Sequence, residues 1–312
     1  MDYFENIIGQ DALKRKLSFY IDAFQSTRRL PFLLFCGAKG FGKTMFARTM
    51  AKHLTNPDGS KRQLLELNCS IIRNNQMFFE NIFLQYIHGR PITVLFDECH
   101  NLPKDLSQAL LTICNTEKES IRDFSWQDAT YTFDFTKISF MFATTEQDKL
   151  FAPLKDRMDI VDFQAYTKDD IKKIIMINSS ETVYKDNIMN TISANVRGNA
   201  RSCVKMAEHI TTYCKKNNKA VFGSNEWKDL CHNLNILPFG LTNSELIVLR
   251  ELQSRGSCSL NMLASATGMS RSALQRDVEQ YLMKLDLIRI DGKRKITQRG
   301  QQVIQLAQEQ FA

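Results

Sequence analysis

The sequence has no apolar run long enough to cross a bilayer, a span that takes about 20 residues. It also has no C-x-x-C pair. Its eight cysteines stand singly, several of them (Cys36, Cys114, Cys203) inside apolar segments. That pattern argues against a disulfide framework and reads as reduced core residues of a cytoplasmic protein. The histidines, Cys231-His232 included, show no metal-ligand spacing. The first residues, Met1-Asp2-Tyr3-Phe4-Glu5-Asn6, are acidic where a secretory signal is basic. What is present is ordinary for a globular chain: 312 residues, 43% hydrophobic and 24% charged, a length suited to two or three domains. The net charge of +7 leaves room for a nucleic-acid partner without requiring one, since a plain soluble surface carries the same excess.

Residues Gly37 to Thr44 read Gly-Ala-Lys-Gly-Phe-Gly-Lys-Thr, a complete G-x-x-x-x-G-K-[ST] phosphate-binding loop. The apolar run Pro31–Cys36 before it has the character of a buried strand, and Met45–Leu54 after it has helical spacing. In such a loop, backbone N–H groups and a helix N-terminus converge on one concavity that attracts phosphate. Gly37, Gly40 and Gly42 let the backbone approach without a Cβ in the way. Lys43 is positioned to reach the β- and γ-phosphates, and the Thr44 hydroxyl to ligate Mg²⁺. A nucleoside triphosphate, ATP, and Mg²⁺ are the expected ligands.

Downstream, the β-branched run Pro91–Phe96 ends in Asp97-Glu98. A continuous apolar run is the signature of a strand buried on both faces of a parallel sheet, and ligands gather at the C-terminal ends of such strands. Elsewhere an Asp-Glu pair is a solvated turn. After a phosphate loop, Asp97 is placed to hold Mg²⁺ and Glu98 to polarise the attacking water.

Strands are expected at Leu33–Cys36, Leu64–Asn68, Thr93–Asp97, Ile138–Ala143 and Ile160–Phe163, alternating with helices that begin with one from about Gln10 to Phe24. This is an α/β pattern with a parallel sheet and helices on both faces. A hairpin is inserted near 120–133, with Phe124 and Trp126 close to its tip. These two aromatics either fold back onto the core or form a contact surface for a partner. From Thr167 to Lys219 the periodicity is helical throughout, giving a small all-helical domain. The last seventy-odd residues read as three helices (Ser244–Gln253, Leu260–Ala266 and one capped by Ser270) followed by a hairpin at Ile288–Thr297 with an Asp-Gly turn. That is a winged helix. Arg271, Gln275 and Arg276 face away from the third helix's apolar stripe, and Lys293, Arg294 and Lys295 cluster at the wing. Such basic tips neutralise DNA phosphates, although a winged helix also serves as a protein-contact module. The resulting division is 1–165 for the nucleotide-binding domain, 166–238 for the helical domain and 239–312 for the winged helix.

Several motifs in this order resemble the RuvB family, hexameric AAA+ motors that drive branch migration of Holliday junctions. Ile7-Ile8-Gly9-Gln10 is similar to the I-G-Q box beside the adenine, and Asp97-Glu98-Cys99-His100 to the D-E-x-H Walker B. Ala143-Thr144-Thr145 resembles sensor 1, and Ala152-Pro153-Leu154-Lys155-Asp156-Arg157 the segment that carries the arginine finger. Tyr166-Thr167 resembles the entry to the lid, and Gly198-Asn199-Ala200-Arg201 sensor 2. The resemblance implies an AAA+ P-loop NTPase with a helical lid and a winged-helix tail, acting as a DNA helicase or translocase in recombination and repair. It implies nucleotide contacts at Ile7, Ile8, Gly37, Gly40, Gly42, Lys43, Thr44, Met45, Tyr166 and Arg201. It further implies that Lys43, Asp97, Glu98, Thr145, Arg157 and Arg201 carry catalysis, with Arg157 reaching a neighbouring subunit's nucleotide. The implied partners are DNA, like subunits in a ring, and a RuvA-like junction-binding protein that docks on the hairpin through Phe124 and Trp126. The chain departs from the family at Ala38-Lys39, where two prolines are usual, at Glu146, where Arg is usual, and in the hairpin sequence. A replication initiator or helicase loader that uses ATP as a switch has the same order of domains and is the alternative.

Overall fold

A computed structural model describes residues 2–56, 58–115, 120–185 and 187–311. Two compact units are seen: Met1–Thr167 with Asn199–Arg201, and Lys168–Gly198 with Ser202–Ala312.

The first unit begins with helix α1 (Asp11–Thr27), strand β1 (Leu33–Cys36) and helix α2 (Lys43–Ala51). Strands β2 (Gln63–Asn68) and β3 (Ile92–Asp97) follow, then a hairpin of β4 (Ile121–Trp126) and β5 (Ala129–Asp134). Strands β6 (Ile138–Thr144) and β7 (Asp159–Asp162) complete it. The main sheet runs β2-β3-β6-β1-β7, every pair parallel. Side chains alternate across it. Leu34, Cys36, Val94, Phe96, Phe140 and Phe142 feed one core. Leu33, Phe35, Leu95, Met141, Ala143 and Val161 feed the other, with α1 and α2 supplying Leu17, Ile21, Phe46 and Met50 to that second face. Because β1, β3 and β6 are adjacent and parallel, Gly37, Asp97 and Thr145 leave the sheet at one edge, where ligands bind in open α/β sheets.

The helix between β2 and β3, Met77–Ile87, winds as a π-helix rich in phenylalanine. It seats the β4–β5 hairpin. Phe79 is fully buried and stacks on Phe124, Trp126 and Tyr131 at centroid distances of 5.4, 5.2 and 5.1 Å. The expected aromatic contact surface is therefore corrected: Phe124 and Trp126 are half-buried and turn inward onto Phe79. The outward face carries Ile121, Asp123, Ser125, Thr130 and Thr132.

The second unit opens with helices Lys168–Asn178, Ile188–Ala194, Ala200–Lys216 and Ser224–Leu234. It is not wholly helical: Val183–Tyr184 and Val221–Phe222 pair in parallel, and the buried Phe222 anchors the pairing. Helices Asn243–Arg255 and Leu260–Thr267 and the helical stretch 271–284 come next. A three-stranded sheet is built from Ser257–Cys258, Ile288–Asp291 and Lys293–Ile296. A further helix, Gln298–Phe311, follows the wing. Thr242 caps the first of these helices in a reciprocal box with Glu245. Ser259 and Ser270 cap the next two.

Candidate functional site

The phosphate loop joins β1 to α2 through glycines whose positions leave no alternative. A Cβ on Gly37 would stand 2.7 Å from Phe163 Cβ. Gly42 caps α2 at φ 96°, in the left-handed region that side chains avoid. Lys43 is 7% exposed, and its ammonium donates to the carbonyl oxygens of Gly37 (2.8 Å) and Ala38 (3.2 Å). Burial pushes its pKa down, while Glu98 and Asp97 push it back up. A buried ammonium satisfied mainly by its own loop's carbonyls fits an incoming polyphosphate, which supplies the charge the loop lacks.

The Thr44 hydroxyl donates to Asp97 Oδ2 at 3.1 Å, and Asp97 Oδ1 accepts the Glu98 N–H at 3.0 Å. One carboxylate and one hydroxyl make a hard-oxygen pair of the kind Mg²⁺ shares with substrate phosphates. Among the described residues no three His, Cys, Asp or Glu side chains gather to hold a metal by themselves. Glu98 adopts φ 52°, ψ 45°, and its Oε2 accepts the Thr145 hydroxyl at 3.0 Å. Lys43, Thr44, Asp97, Glu98 and Thr145, drawn from three segments of the chain, thus meet at one sheet edge.

Around this centre, the Tyr166 hydroxyl donates to the Phe41 carbonyl at 3.0 Å and pins the crest of the loop. The Arg201 N–H donates to the Gly40 carbonyl at 3.2 Å. Ile7 is buried, Ile8 half-buried and Met45 exposed. Arg157 is not drawn into the cluster: its Nη1 donates to Asn115 Oδ1 at 2.7 Å, and it lines a groove of about 510 Å³ with Phe19, Tyr20, Leu30 and Met158.

Two residues that stand in quoted motifs make contacts the sequence does not show. Gln10 exchanges two hydrogen bonds with the Gln164 backbone (2.6 and 3.0 Å), tying the I-G-Q segment to the chain just before Tyr166. His100 Nδ1 shares a hydrogen bond with the Thr144 hydroxyl at 2.9 Å. Both contacts join residues far apart in sequence, so only the folded chain exposes them.

In the winged helix, Arg271, Gln275 and Arg276 are exposed on the third helix, as are Lys293 and Lys295 on the wing. Arg294 is a correction. Its guanidinium is buried and forks onto Glu279, with Nε to Oε1 at 2.8 Å and Nη2 to Oε2 at 3.2 Å. Successive strand residues point to opposite faces. With Lys293 and Lys295 outward, Arg294 must face the third helix, where the equally buried Glu279 meets it.

No helix among the described residues is long and apolar enough to cross a membrane. Residues 33–166 match the family model of the ATPase family associated with various cellular activities, and residues 238–305 match the RuvB C-terminal winged helix domain. The chain is similar to the Holliday junction branch migration complex subunit RuvB of Mycoplasmopsis pulmonis, 23% identical over 95% of this chain and 94% of that one. It is 26% identical to the protein of the same name from Limosilactobacillus reuteri, over 90% of this chain and 83% of that one. A solved structure described as the Thermotoga maritima RuvB Holliday junction branch migration motor shares the fold, with a TM-score of 0.76 at 21% identity, covering 98% of this chain and 99% of that one. The chain thus joins a domain of the AAA ATPase family, which holds a complete phosphate loop, to a winged helix of the RuvB C-terminal family, the same pair of domains in the same order that its resemblance to the RuvB proteins implies.

Proposed function

We propose that this protein hydrolyses ATP with Mg²⁺ and uses the energy to move duplex DNA, driving branch migration of Holliday junctions as a ring of like subunits. The observation that carries the reading is the meeting of Lys43, Thr44, Asp97, Glu98 and Thr145 at one edge of the sheet, in a chain that ends in a RuvB winged helix. In this reading Lys43 binds the β- and γ-phosphates. Thr44 and Asp97 hold Mg²⁺, directly or through water. Glu98 orients and polarises the attacking water. Thr145 holds Glu98 and senses the γ-phosphate. Ile7, Ile8, Met45 and Tyr166 line the nucleotide, and Gly37, Gly40 and Gly42 admit its phosphates. Arg157 acts in the nucleotide site of an adjoining subunit, where a guanidinium stabilises charge developing in the transition state. Arg201 contacts the γ-phosphate within its own subunit.

The parts of the chain are assigned as 1–165 for nucleotide chemistry, 166–238 for the lid and 239–312 for DNA. Arg271, Gln275, Arg276, Lys293 and Lys295 are the proposed DNA contacts, supported by their exposure. The hairpin is the proposed seat of a RuvA-like protein, met through its tip and its outward face at Ile121, Asp123, Ser125, Thr130 and Thr132. Recombination and repair in the cytoplasm are the setting.

The test is ATP-dependent processing of a synthetic four-way junction, with and without a RuvA-like junction-binding protein. The wild-type chain converts the junction to duplex arms, and Glu98→Gln and Arg157→Ala do not, although both bind nucleotide. A wild-type chain that hydrolyses ATP and never moves a junction, with or without that protein, overturns the motor reading.

A further inference from the structure

His100 lies in the site, and none of the roles above uses it. Its side chain is only 8% exposed. The Nδ1 atom that meets the Thr144 hydroxyl at 2.9 Å also lies 3.5 Å from Glu98 Oε2. On the far side of the ring, Nε2 lies 3.7 Å from Glu146 Oε1 and 3.3 Å from Asn101 Nδ2. The Thr144 hydroxyl accepts the Glu146 N–H at 3.0 Å, and the Glu146 carboxylate pairs with Lys149. The imidazole therefore touches the residue before Thr145 and the residue after it, as well as Glu98, which Thr145 itself holds. Glu98, Thr145, Thr144 and His100 form a closed ring of contacts, and the Glu146 backbone N–H joins it at the Thr144 hydroxyl.

Glu98 needs such support. Its backbone sits in the left-handed region, its side chain is 35% exposed, and a glutamate has three rotatable bonds. A reacting group is useful only when neighbours lock its rotamer. Thr145 supplies one bond. An unsupported strand end would let that bond swing, and His100 ties this strand end to the turn that carries Glu98.

We propose that His100, hydrogen-bonded to the Thr144 hydroxyl, is a positioning residue for Glu98, fixing the end of β6 against the turn after β3 so that the carboxylate meets water in one orientation. The inference rests on Glu98 being the residue that polarises water. No proton passes through His100 in this role.

The experiment is steady-state ATP hydrolysis by the full chain, with nucleotide affinity and thermal unfolding measured on the same samples. His100→Leu fills the space without a nitrogen, and His100→Asn keeps a nitrogen near the position of Nδ1. His100→Leu lowers kcat by roughly ten- to a hundredfold, while KM for ATP stays within about twofold. His100→Asn recovers most of the loss. Glu98→Gln run in parallel separates the two ideas. Persistent turnover in Glu98→Gln refutes the role of Glu98. A dead Glu98→Gln beside a His100→Leu of wild-type kcat refutes the brace. So does a His100→Leu whose nucleotide affinity and melting temperature fall in step with kcat, with no recovery in His100→Asn.

Discussion

If Glu98 polarises water as proposed, replacing its carboxylate by an amide removes that acceptor and leaves Lys43 and Thr44 in place. Glu98→Gln therefore lowers kcat for ATP by roughly 10²- to 10⁴-fold with nucleotide affinity retained, as phosphate release and equilibrium binding show side by side. Arg294 has the opposite character. It and Glu279 are 10% and 3% exposed at their side chains, so Arg294→Ala strands a buried carboxylate. The expected loss is about 3–5 kcal/mol, read as a lower denaturation midpoint. The phosphate loop and Asp97-Glu98 were legible in sequence because each is a contiguous motif whose neighbours have the right strand or helix character. Arg294 was misread because three consecutive basic residues look like one patch, although a strand sends the middle one to the other face. His100 stands within the Asp97–His100 motif, but its contact with Thr144 depends on β3 and β6 being neighbours, which the residue order does not state.

At the scale of elements, the hairpin is held from one side. Phe79, on a helix more than forty residues upstream of the two aromatics it stacks on, is its main support. Phe79→Ala lowers stability by about 3–5 kcal/mol and raises hydrogen exchange across Ile121–Asp134 before the main sheet responds. Alternation in sequence revealed a hairpin with two faces. It did not show which face is covered, because the covering residue comes from another element. The wing tests differently. Lys293→Ala and Lys295→Ala remove exposed charges and leave the fold intact. Each reduces the slope of log affinity for DNA against log salt by about 1, measured on one duplex across a salt series. The strand boundaries agree with the sequence reading to within a residue, and the three central strands are buried runs with clear ends. The short Val183–Tyr184 pairing and the helix after the wing went unseen, the first because two residues make no pattern.

For the whole molecule, all eight cysteines are free and buried. Burial raises the thiol pKa from the ordinary 9.0 to about 11 for Cys36 and to about 12 for Cys203 and Cys231. The unfolded chain loses these protons from pH 9 upward while the folded chain keeps them. Their contribution is therefore complete below pH 9 and is lost as pH climbs toward 11–12. Lys43 and Arg62 act in the opposite sense, because burial lowers their pKa in the fold, but they are two groups against seven raised thiols. Thermal unfolding in reductant at pH 8 and pH 10 should show the lower midpoint at pH 10. The two units are separate questions: parallel strands and a phosphate loop specify the first almost residue by residue, whereas the second is recognised by the order of its helices and wing.

Glu98 occupies a left-handed backbone position that a glycine would fill with about 1 kcal/mol less strain. Selection for heat resistance alone would favour Gly at this place and retire the engine in the process. Any directed-evolution campaign on this chain must score nucleotide turnover alongside survival, or it will enrich sturdy, idle protein.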